Sequence, residues 1–514
     1  MKINSVTIVG GGSAGWMTAA LLSKYSNIKI TLVESDNIKT VGVGESTLQL
    51  FDRLLNRLHL YDDKEWMPKC NATYKTSIAF KNWRDGKGER FQYPFGDLDF
   101  GTYKSSPSQF FELQSEYGRE LYPFEEFARF CNHKTFLTEK CKITSSPSFS
   151  LCNFNIKNDA SYHIDADLFG EYLKNEHCIP NGVKHIIGEV EDVQLKPNGD
   201  ISHLVINNNQ TIYSDLFVDC TGFKSLLLEK HLNVPFISFN KQLFNDKAIA
   251  VRTPYLNREL EMITYTDCVA MSAGWIWNIP LWHRMGRGYC FSSEYIDKSD
   301  AEVEFKNYLK EIYPLDMVEK FELKHINIKH GKHKVSWKNN CVAIGLSYGF
   351  VEPLESTGLV TSHELSNLLC DAIIRRDGFI SSYDVDYFNG CANDMMKSFK
   401  NLVLTHYTLT QRTDTEYWRD CAKVNMDFEH IKNIQYPDIH TSTPKPKNDG
   451  YIFISTGLGV SPLNDAFLSE PYGFPRTENL DILHANWQGH KKSIEEWVNN
   501  QPSHFQFLKD NIYS

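Results

Sequence analysis

The sequence predicts a mixed α/β fold, and three stretches carry that prediction. At the start, the apolar strand Val6-Thr7-Ile8-Val9 runs into Gly10-Gly11-Gly12-Ser13-Ala14-Gly15 and then into Trp16 to Leu22, an apolar run of helical length. In the middle, residues 186–219 read as short strands, Ile186 to Val190 and Ile201 to Ile206 around the turn Pro197-Asn198-Gly199-Asp200, ending at Leu216-Phe217-Val218-Asp219-Cys220-Thr221-Gly222. Further on, the strand Cys341 to Leu346 enters the loop 347–357 and then a helix.

The first stretch has a specific physical reading. Gly10 allows a tight turn, Gly12 lets the backbone approach a pyrophosphate, and Gly15 lets helix and strand pack closely. The helix N-terminus then faces an anion. A second strand, Ile28 to Val33, ends at Glu34, about 20 residues beyond the glycines, where a dinucleotide fold places its ribose-binding carboxylate. The order strand, glycine turn, helix, strand, acid predicts a Rossmann-like dinucleotide-binding module.

In the last stretch, Leu365, Leu368, Leu369, Ala372 and Ile373 form a stripe at helical spacing, and Arg375, Arg376 and Gly378 supply a C-terminal ending. The helix therefore starts near Thr357-Gly358. A Ser356-Thr357-Gly358 sequence at a helix start offers unpaired N–H groups and the positive end of the dipole to a bare anion. An ordinary Ser or Thr cap is the other reading, and both can hold at once. Helical stretches are expected around 383–410, and a loop-rich stretch from Tyr436 to Asn479.

Composition narrows the class. At 514 residues the chain has room for two to four folding units of about 150 residues each, with a sizeable core. Its 41% hydrophobic and 23% charged residues are those of a globular protein. The 54 Lys and Arg against 64 Asp and Glu oppose a nucleic-acid or anionic-membrane partner. No apolar run approaches the roughly 18 residues of a spanning helix, and the start runs into a glycine turn rather than a cleavage site, so a cytoplasmic location is expected. The 12 cysteines form no Cys-x-x-Cys pair, so neither a zinc site nor a disulfide framework is indicated and no metal is expected.

Three further features bear on chemistry. In Gly274-Trp275-Ile276-Trp277-Asn278-Ile279-Pro280 the two tryptophans share one face of a strand that Pro280 ends. Taken alone, that pattern is ordinary sheet packing. Thr73 to Trp83 reads as an alternating strand with one Lys75, and a lone strand lysine is ordinarily a solvated charge. The third is Gly349-Phe350-Val351-Glu352-Pro353-Leu354-Glu355-Ser356-Thr357-Gly358, which leads into the helix just described.

Together with the glycine loop, the W-x-W-x-I-P and E-P-L-E-S-T-G segments resemble the flavin-dependent halogenases of the tryptophan halogenase family, over about residues 5 to 420. Supporting matches are Gly42-Val43-Gly44-Glu45-Ser46, Tyr162-His163-Ile164-Asp165-Ala166-Asp167, Asp219-Cys220-Thr221-Gly222-Phe223 and Gln411-Arg412-Thr413-Asp414-Thr415-Glu416-Tyr417-Trp418. The resemblance implies an FAD-binding module of the flavin monooxygenase type, over 1–80, 155–225 and 325–378. The inserted and C-terminal parts, 81–154, 226–324 and 379–514, become a largely helical substrate-binding module.

What the resemblance implies about chemistry is definite. Reduced FAD and oxygen oxidise chloride, bromide or iodide to hypohalous acid, which passes internally to Lys75, the catalytic lysine; Glu355 assists as a carboxylate. Thr357 and Gly358 hold the halide. Flavin contacts come from Gly10, Gly12, Ser13, Ala14, Gly15, Glu34, Ser46, Val190, Leu346 and Leu359. Trp275 and Trp277 stand between substrate and flavin. FADH2 is expected from a separate NAD(P)H flavin reductase, by diffusion, since the chain has only one glycine loop of this kind. Such enzymes are often dimers. Tryptophan-specific members often carry His-Pro-Phe-Gly where this chain has Tyr93-Pro94-Phe95-Gly96. A free indole, a phenol or another electron-rich arene therefore stands beside tryptophan as the expected substrate. Tyr472, Phe474, Trp487 and Trp497 are candidates for a lid over it or for plain core. The runner-up activity is a flavin-dependent aromatic monooxygenase, a hydroxylase.

Overall fold

The structure is a computed structural model that describes residues 1–37, 45–96, 106–148, 150–207, 209–427, 449–461 and 479–514. Two compact units are interleaved along the chain. The first comprises 1–72, 164–241 and 328–400; the second comprises 73–163, 242–327 and 401–514. The first boundary falls at residue 72 instead of the expected 80, which transfers the whole of Thr73–Lys75 to the second unit. Residues 226–241 and 379–400, expected in the substrate module, pack with the first unit.

The first unit is built on a six-stranded sheet in the order Trp337–Lys338, Cys341–Ala343, Leu216–Asp219, Ser5–Val9, Lys29–Glu34 and Lys184–Ile187. Every neighbouring pair is parallel except the first. Val6, Ile8, Leu32, Leu216, Val218 and Val342 are wholly buried, as expected for strands covered on both faces. The helix Ser13–Tyr25 lies against the long helix Thr357–Ile374, and hydroxyls of Thr18 and Ser366 meet at 2.7 Å between them.

The expected strand from Ile186 to Val190 is two strands. Lys184–Ile187 joins the parallel sheet, whereas Val190–Leu195 pairs with Ile201–Ile206 in a separate antiparallel sheet of three. The break comes at Gly188, whose N–H donates to the Glu34 carbonyl (2.8 Å) and ends the parallel ladder.

The second unit holds a seven-stranded sheet: Lys324–Asn327, Lys247–Thr253, Met285–Phe291, Gly274–Pro280, Tyr265–Ala270, Ser77–Lys81 and Arg90–Pro94. Only Tyr265–Ala270 and Ser77–Lys81 run parallel among these pairs. Ile249, Ile276, Tyr289 and Phe291 cluster with Ala301, Phe305 and Leu309 of the helix Lys298–Lys310, an i, i+4, i+8 stripe. Burying Phe305 alone contributes about 1.5–3 kcal/mol. Because side chains alternate along a strand, Trp275 and Trp277 project from the face opposite Ile276.

Among the described residues no helix is long and apolar enough to cross a membrane. The cysteines are thiols, all buried except the half-exposed Cys141 and Cys391. The expected helix around 383–410 is Ser382–Thr408. Of the expected loop-rich stretch 436–479, residues 436–448 and 462–478 lie outside the described residues, and the helix Asp449–Gly457 stands between them.

Candidate active site

In the first unit the glycine loop has the geometry its residues dictate. Gly10 sits at φ +112°, and a Cβ there would come within 2.2 Å of the Cys220 carbonyl oxygen. A Cβ on Gly15 would come within 2.0 Å of the Gly10 carbonyl oxygen, so helix and loop touch only because residue 15 is glycine. Gly12 is the N-terminal cap of the helix and offers no side chain to its free N–H groups. Ser13 turns its hydroxyl to the Ala166 carbonyl (3.2 Å), and Ala14 packs under Gly345. Gly11, given no role from the sequence, proves as constrained: any Cβ there would overlap the Glu34 carboxylate.

Glu34 ends its strand with its carboxylate between His185 Nε2 (2.7 Å) and Lys174 Nζ (3.3 Å). Trp16 packs edge-on against the same imidazole, and Lys174 also lies over its ring. This fixed acid at the strand end and the Gly10–Gly15 cradle fit a ribose and a pyrophosphate. The other residues expected to touch flavin sit in the same unit. Val190 opens its strand opposite Ile206, Leu346 lies half-buried in the turn Gly345–Ser347, and Leu359 is buried in the first turn of the long helix.

Ser46 links this region to the loop before Thr357: its hydroxyl accepts a hydrogen bond from Ser356 (2.9 Å). Ser356 adopts a left-handed backbone (φ +57°) at the cap position of Thr357–Ile374 but does not cap the helix with its side chain. The first-turn N–H groups are thereby left to another acceptor. Thr357 is buried, and its Oγ1 has no hydrogen-bond partner among the described residues. At Gly358 the nearest atom to an added Cβ would be Phe350 Cε2, 3.9 Å away. An orphaned buried hydroxyl, uncapped amides and open space at a helix N-terminus fit a desolvated halide. Glu355, two residues before Thr357, is fully buried.

Glu45 is a titratable group that the motif containing it did not single out. Burial, and then Asp167 and Asp165, push its carboxyl up to about 7. Gly42, Val43 and Gly44 lie outside the described residues.

The second unit holds Lys75 and the tryptophan pair. The expected single strand from Thr73 divides at Thr76 into Thr73–Lys75 and Ser77–Lys81, because Thr76 N–H turns to the Thr264 carbonyl (2.7 Å). Lys75 is not a solvated charge: its exposure is 0%. Its Nζ lies 4.9 Å from the centre of the Phe95 ring, a cation–π contact. Phe95 is held there by its N–H to the Thr76 carbonyl (2.9 Å) and its carbonyl to Asn132 (3.1 Å). Gly96 follows at φ +90°, above a buried ion pair of Lys134 and Asp159 (3.0 Å) that leaves no room for a Cβ.

Two histidines brace the lysine strand. Lys75 pairs with Ser161 across the antiparallel ladder, two residues from His163. His163 Nε2 meets the Thr266 hydroxyl at 2.9 Å, and its pKa is driven well below the usual range by burial, then by Lys75 and His504. His504 accepts the Tyr74 N–H at Nε2 (3.2 Å). Its Nδ1 lies 3.0 Å from the Ile263 carbonyl, which can only accept, so Nδ1 carries the proton. Burial pushes this imidazole down to about 4, keeping it neutral. The Thr73 hydroxyl donates to the Pro280 carbonyl (2.6 Å), tying the lysine strand to the end of the tryptophan strand.

Trp275 and Trp277 are buried, with ring centres 6.1 Å apart. Gly288 makes way for Trp277, since a Cβ there would reach 2.1 Å from the indole. Trp487 is core: it packs on Phe130 at 4.9 Å and on His133, whose pKa burial pushes down to about 4. Trp497 is half-buried on the same helix, Leu480–Asn499, while Tyr472 and Phe474 lie outside the described residues. Of the groups that sequence reasoning passed over, His163 and Phe95 stand inside quoted motifs. His504 and the Lys134–Asp159 pair carry no local signal at all.

A family model described as tryptophan halogenase matches residues 5–443. A 7-chloro-L-tryptophan 6-halogenase, KtzR of Kutzneria sp. (strain 744), is 35% identical over 98% of this chain and 98% of its own. Among solved structures, the VirX1 apo structure is 43% identical and superposes with a TM-score of 0.89 over 100% of both chains. Xcc4156, a flavin-dependent halogenase from Xanthomonas campestris, is 29% identical, with a TM-score of 0.84 over 99% of both.

Proposed function

Because this chain belongs to the tryptophan halogenase family and is a flavin-dependent halogenase using FADH2, halide and oxygen, we propose that Lys75 delivers the halogen to a free, electron-rich arene of the indole or phenol class. The complete burial of Lys75 beside Phe95 carries this reading: a cation withdrawn from water in a halogenase serves chemistry rather than solubility. Bound FADH2, with oxygen, supplies the two-electron oxidation that turns halide into hypohalous acid. Gly10, Gly12, Ser13, Ala14, Gly15 and Glu34 hold the dinucleotide, with Ser46, Val190, Leu346 and Leu359 along it.

Thr357 Oγ1 and the amides of Thr357 and Gly358 donate to the halide and strip it of water before it reacts. As an ammonium, Lys75 donates a hydrogen bond to hypohalous acid and polarises its O–X bond. As an amine it attacks the halogen, so that N–X forms, O–X breaks and water leaves. Either way the arene carbon gains the halogen and the ring loses one proton. Glu355 takes that proton as general base. The tryptophan pair, Trp275 and Trp277, keeps arene away from flavin. Tyr93 in place of the family's frequent histidine favours an arene that need not be tryptophan itself, whereas the similar proteins are named for tryptophan substrates. Reduced flavin reaches the enzyme by diffusion from a separate NAD(P)H reductase in the cytoplasm, and the protein works as a homo-oligomer.

The test is mass spectrometry of reactions containing the protein, FAD, a flavin reductase, NADH and oxygen, with chloride, bromide or iodide separately, over indoles, phenols and tryptophan. Halide-dependent halogenated products among the free indoles or phenols support the reading. Halogenation of tryptophan alone overturns the substrate class, and halide-independent hydroxylation overturns the reaction.

A further inference from the structure

The sheet face that carries Trp275 and Trp277 continues into a row of rings that leaves the core of the second unit. Centre-to-centre separations are 6.1 Å from Trp277 to Trp275, 6.4 Å to Trp83, 5.5 Å to Trp418, 5.0 Å to Tyr417 and 5.4 Å to Tyr295. A branch through Tyr407 runs 5.4 Å from Trp83 and 6.4 Å to Tyr417. Every ring is buried except that of Tyr295, which is half-exposed.

Hydrophobic packing explains why such rings meet. It does not explain how their polar ends are graded. Trp83 and Trp418 give their indole N–H to the carbonyls of Cys268 (3.1 Å) and Met271 (2.8 Å), whereas Trp277 Nε1 has no hydrogen-bond partner among the described residues. Tyr417 donates to the amide oxygen of Asn245 (2.9 Å), which is not a base. Tyr295, at the outer end, donates to a carboxylate oxygen of Asp420 (3.1 Å). Lys423 holds the other oxygen at 2.9 Å. An oxidised phenol is a strong acid and yields its proton even to a carboxylate of modest basicity. The row therefore ends where an oxidised ring can discharge a proton and meet solvent.

We propose that this row is a hole-transfer path: oxidant that misses the arene takes an electron from Trp277, and the vacancy passes from ring to ring to Tyr295, where Asp420 receives the phenolic proton and an external thiol refills the ring. The inference rests on the halogenase chemistry, which supplies hypohalous acid as the oxidant. In balance, the first electron, with a proton, breaks the O–X bond of hypohalous acid to give water and a halogen atom, and the second turns that atom into halide; with two thiols the sum is halide, a proton, water and one disulfide, in two one-electron passages along the row. Each passage moves one electron inward, and each thiol returns one electron and one proton to Tyr295. Arg412 lies 4.5 Å over Trp418 and opposes positive charge there; its bidentate pair with Asp414 (2.9 and 2.6 Å) tempers that, and the Tyr407 branch passes around it. The path spares Cys268 and Cys290, which stand directly across the sheet from Trp277 and Trp275 and are open to irreversible oxidation.

Tyr295→Phe keeps the ring against Tyr417 and removes only the hydroxyl. In the FAD-loaded enzyme turning over with reductase, NADH, halide and arene, the variant should start at the wild-type halogenation rate. It should then inactivate after severalfold fewer turnovers, with oxidation found on Trp418 and Trp83 by peptide mass spectrometry. Pulse radiolysis with azide radical tests the path without any halogenation: tryptophanyl absorption should decay into tyrosyl absorption in the wild type, and that growth should be largely lost in Tyr295→Phe. Equal turnover numbers with equal tyrosyl yields in the two proteins would overturn the proposal. Arene halogenation, read in the same turnover samples, reports separately on the activity it rests on.

Discussion

The loop proposed to hold halide in the first unit and the lysine strand of the second are built on opposite plans. At Thr357–Gly358 the chain withholds partners: Ser356 turns its hydroxyl to Ser46 instead of capping the helix, and the buried Thr357 hydroxyl has no partner among the described residues. Around Lys75 the chain supplies contacts from every side. Phe95 faces its Nζ, His504 grips the preceding N–H, Thr73 ties the strand to Pro280, and His163 stands on the neighbouring strand. A site for a monatomic anion needs donors left empty. A site that must aim a long flexible side chain needs that side chain fixed.

The largest effect is expected at Lys75. Lys75→Ala should reduce arene halogenation to background while FAD binding, read by flavin fluorescence, stays at the wild-type level; halogenation that survives would remove Lys75 from the mechanism. Glu355→Gln should slow product formation by about 10²–10⁴-fold, the range expected for loss of a general base. An unchanged rate would leave that buried carboxylate a structural role only. Thr357→Val keeps shape and deletes one donor. The KM for halide should rise about tenfold, the equivalent of one hydrogen bond of roughly 1.4 kcal/mol, while thermal stability without halide is maintained or improved. A halide KM that does not move would show that the orphan hydroxyl faces something else.

The two units should also differ in the sign of their pH dependence. His133 and His504 in the second unit have folded pKa values near 4 against an ordinary 6.5. The unfolded chain binds their protons first, so stability is full above pH 6.5 and is lost as pH falls towards 4. Glu45 in the first unit is raised to about 7 from 4.5. There the folded chain holds the proton longer, and its stabilising contribution, complete below 4.5, is lost as pH rises through 7. Calorimetry should find that His133→Gln flattens the acid limb of Tm against pH, and that Glu45→Gln raises Tm above pH 7 with little change near 4.5. Parallel pH profiles for both variants and the wild type would contradict these assignments.

Much of the first unit was legible because its constraints are local. Gly10, Gly15 and the helix start at Thr357 follow from residues a few positions apart, and Glu34 from a strand ending about 20 residues beyond the glycines; their geometry obeys backbone sterics that short motifs encode. Lys75 was not legible in that way. Its strand alternates like any half-exposed strand, and what buries it arrives from Phe95, His163 and His504, up to 429 residues away along the chain. Only the resemblance to a family, not the pattern around it, drew attention to that lysine. The same holds for Trp487, which packs on Phe130 and His133 from a distant stretch of chain, and for the Lys134–Asp159 pair beneath Gly96. The division of the chain at residue 72 instead of 80 has the same origin: Thr73–Lys75 pairs with Ser161–His163 and bonds the Pro280 carbonyl, partners of the second unit that lie far along the chain.

The partition of oxidised halide separates the two sites: in Lys75→Ala and Thr357→Val, halogenated arene and escaped hypohalous acid, caught by a chemical trap, are quantified in the same reaction. The account predicts that Lys75→Ala makes hypohalous acid at close to the wild-type rate but no halogenated arene, whereas Thr357→Val at limiting halide loses both in proportion. If Lys75→Ala lost hypohalous acid and product together, or kept the product, the separation of halide oxidation from halogen delivery between these two sites would be wrong.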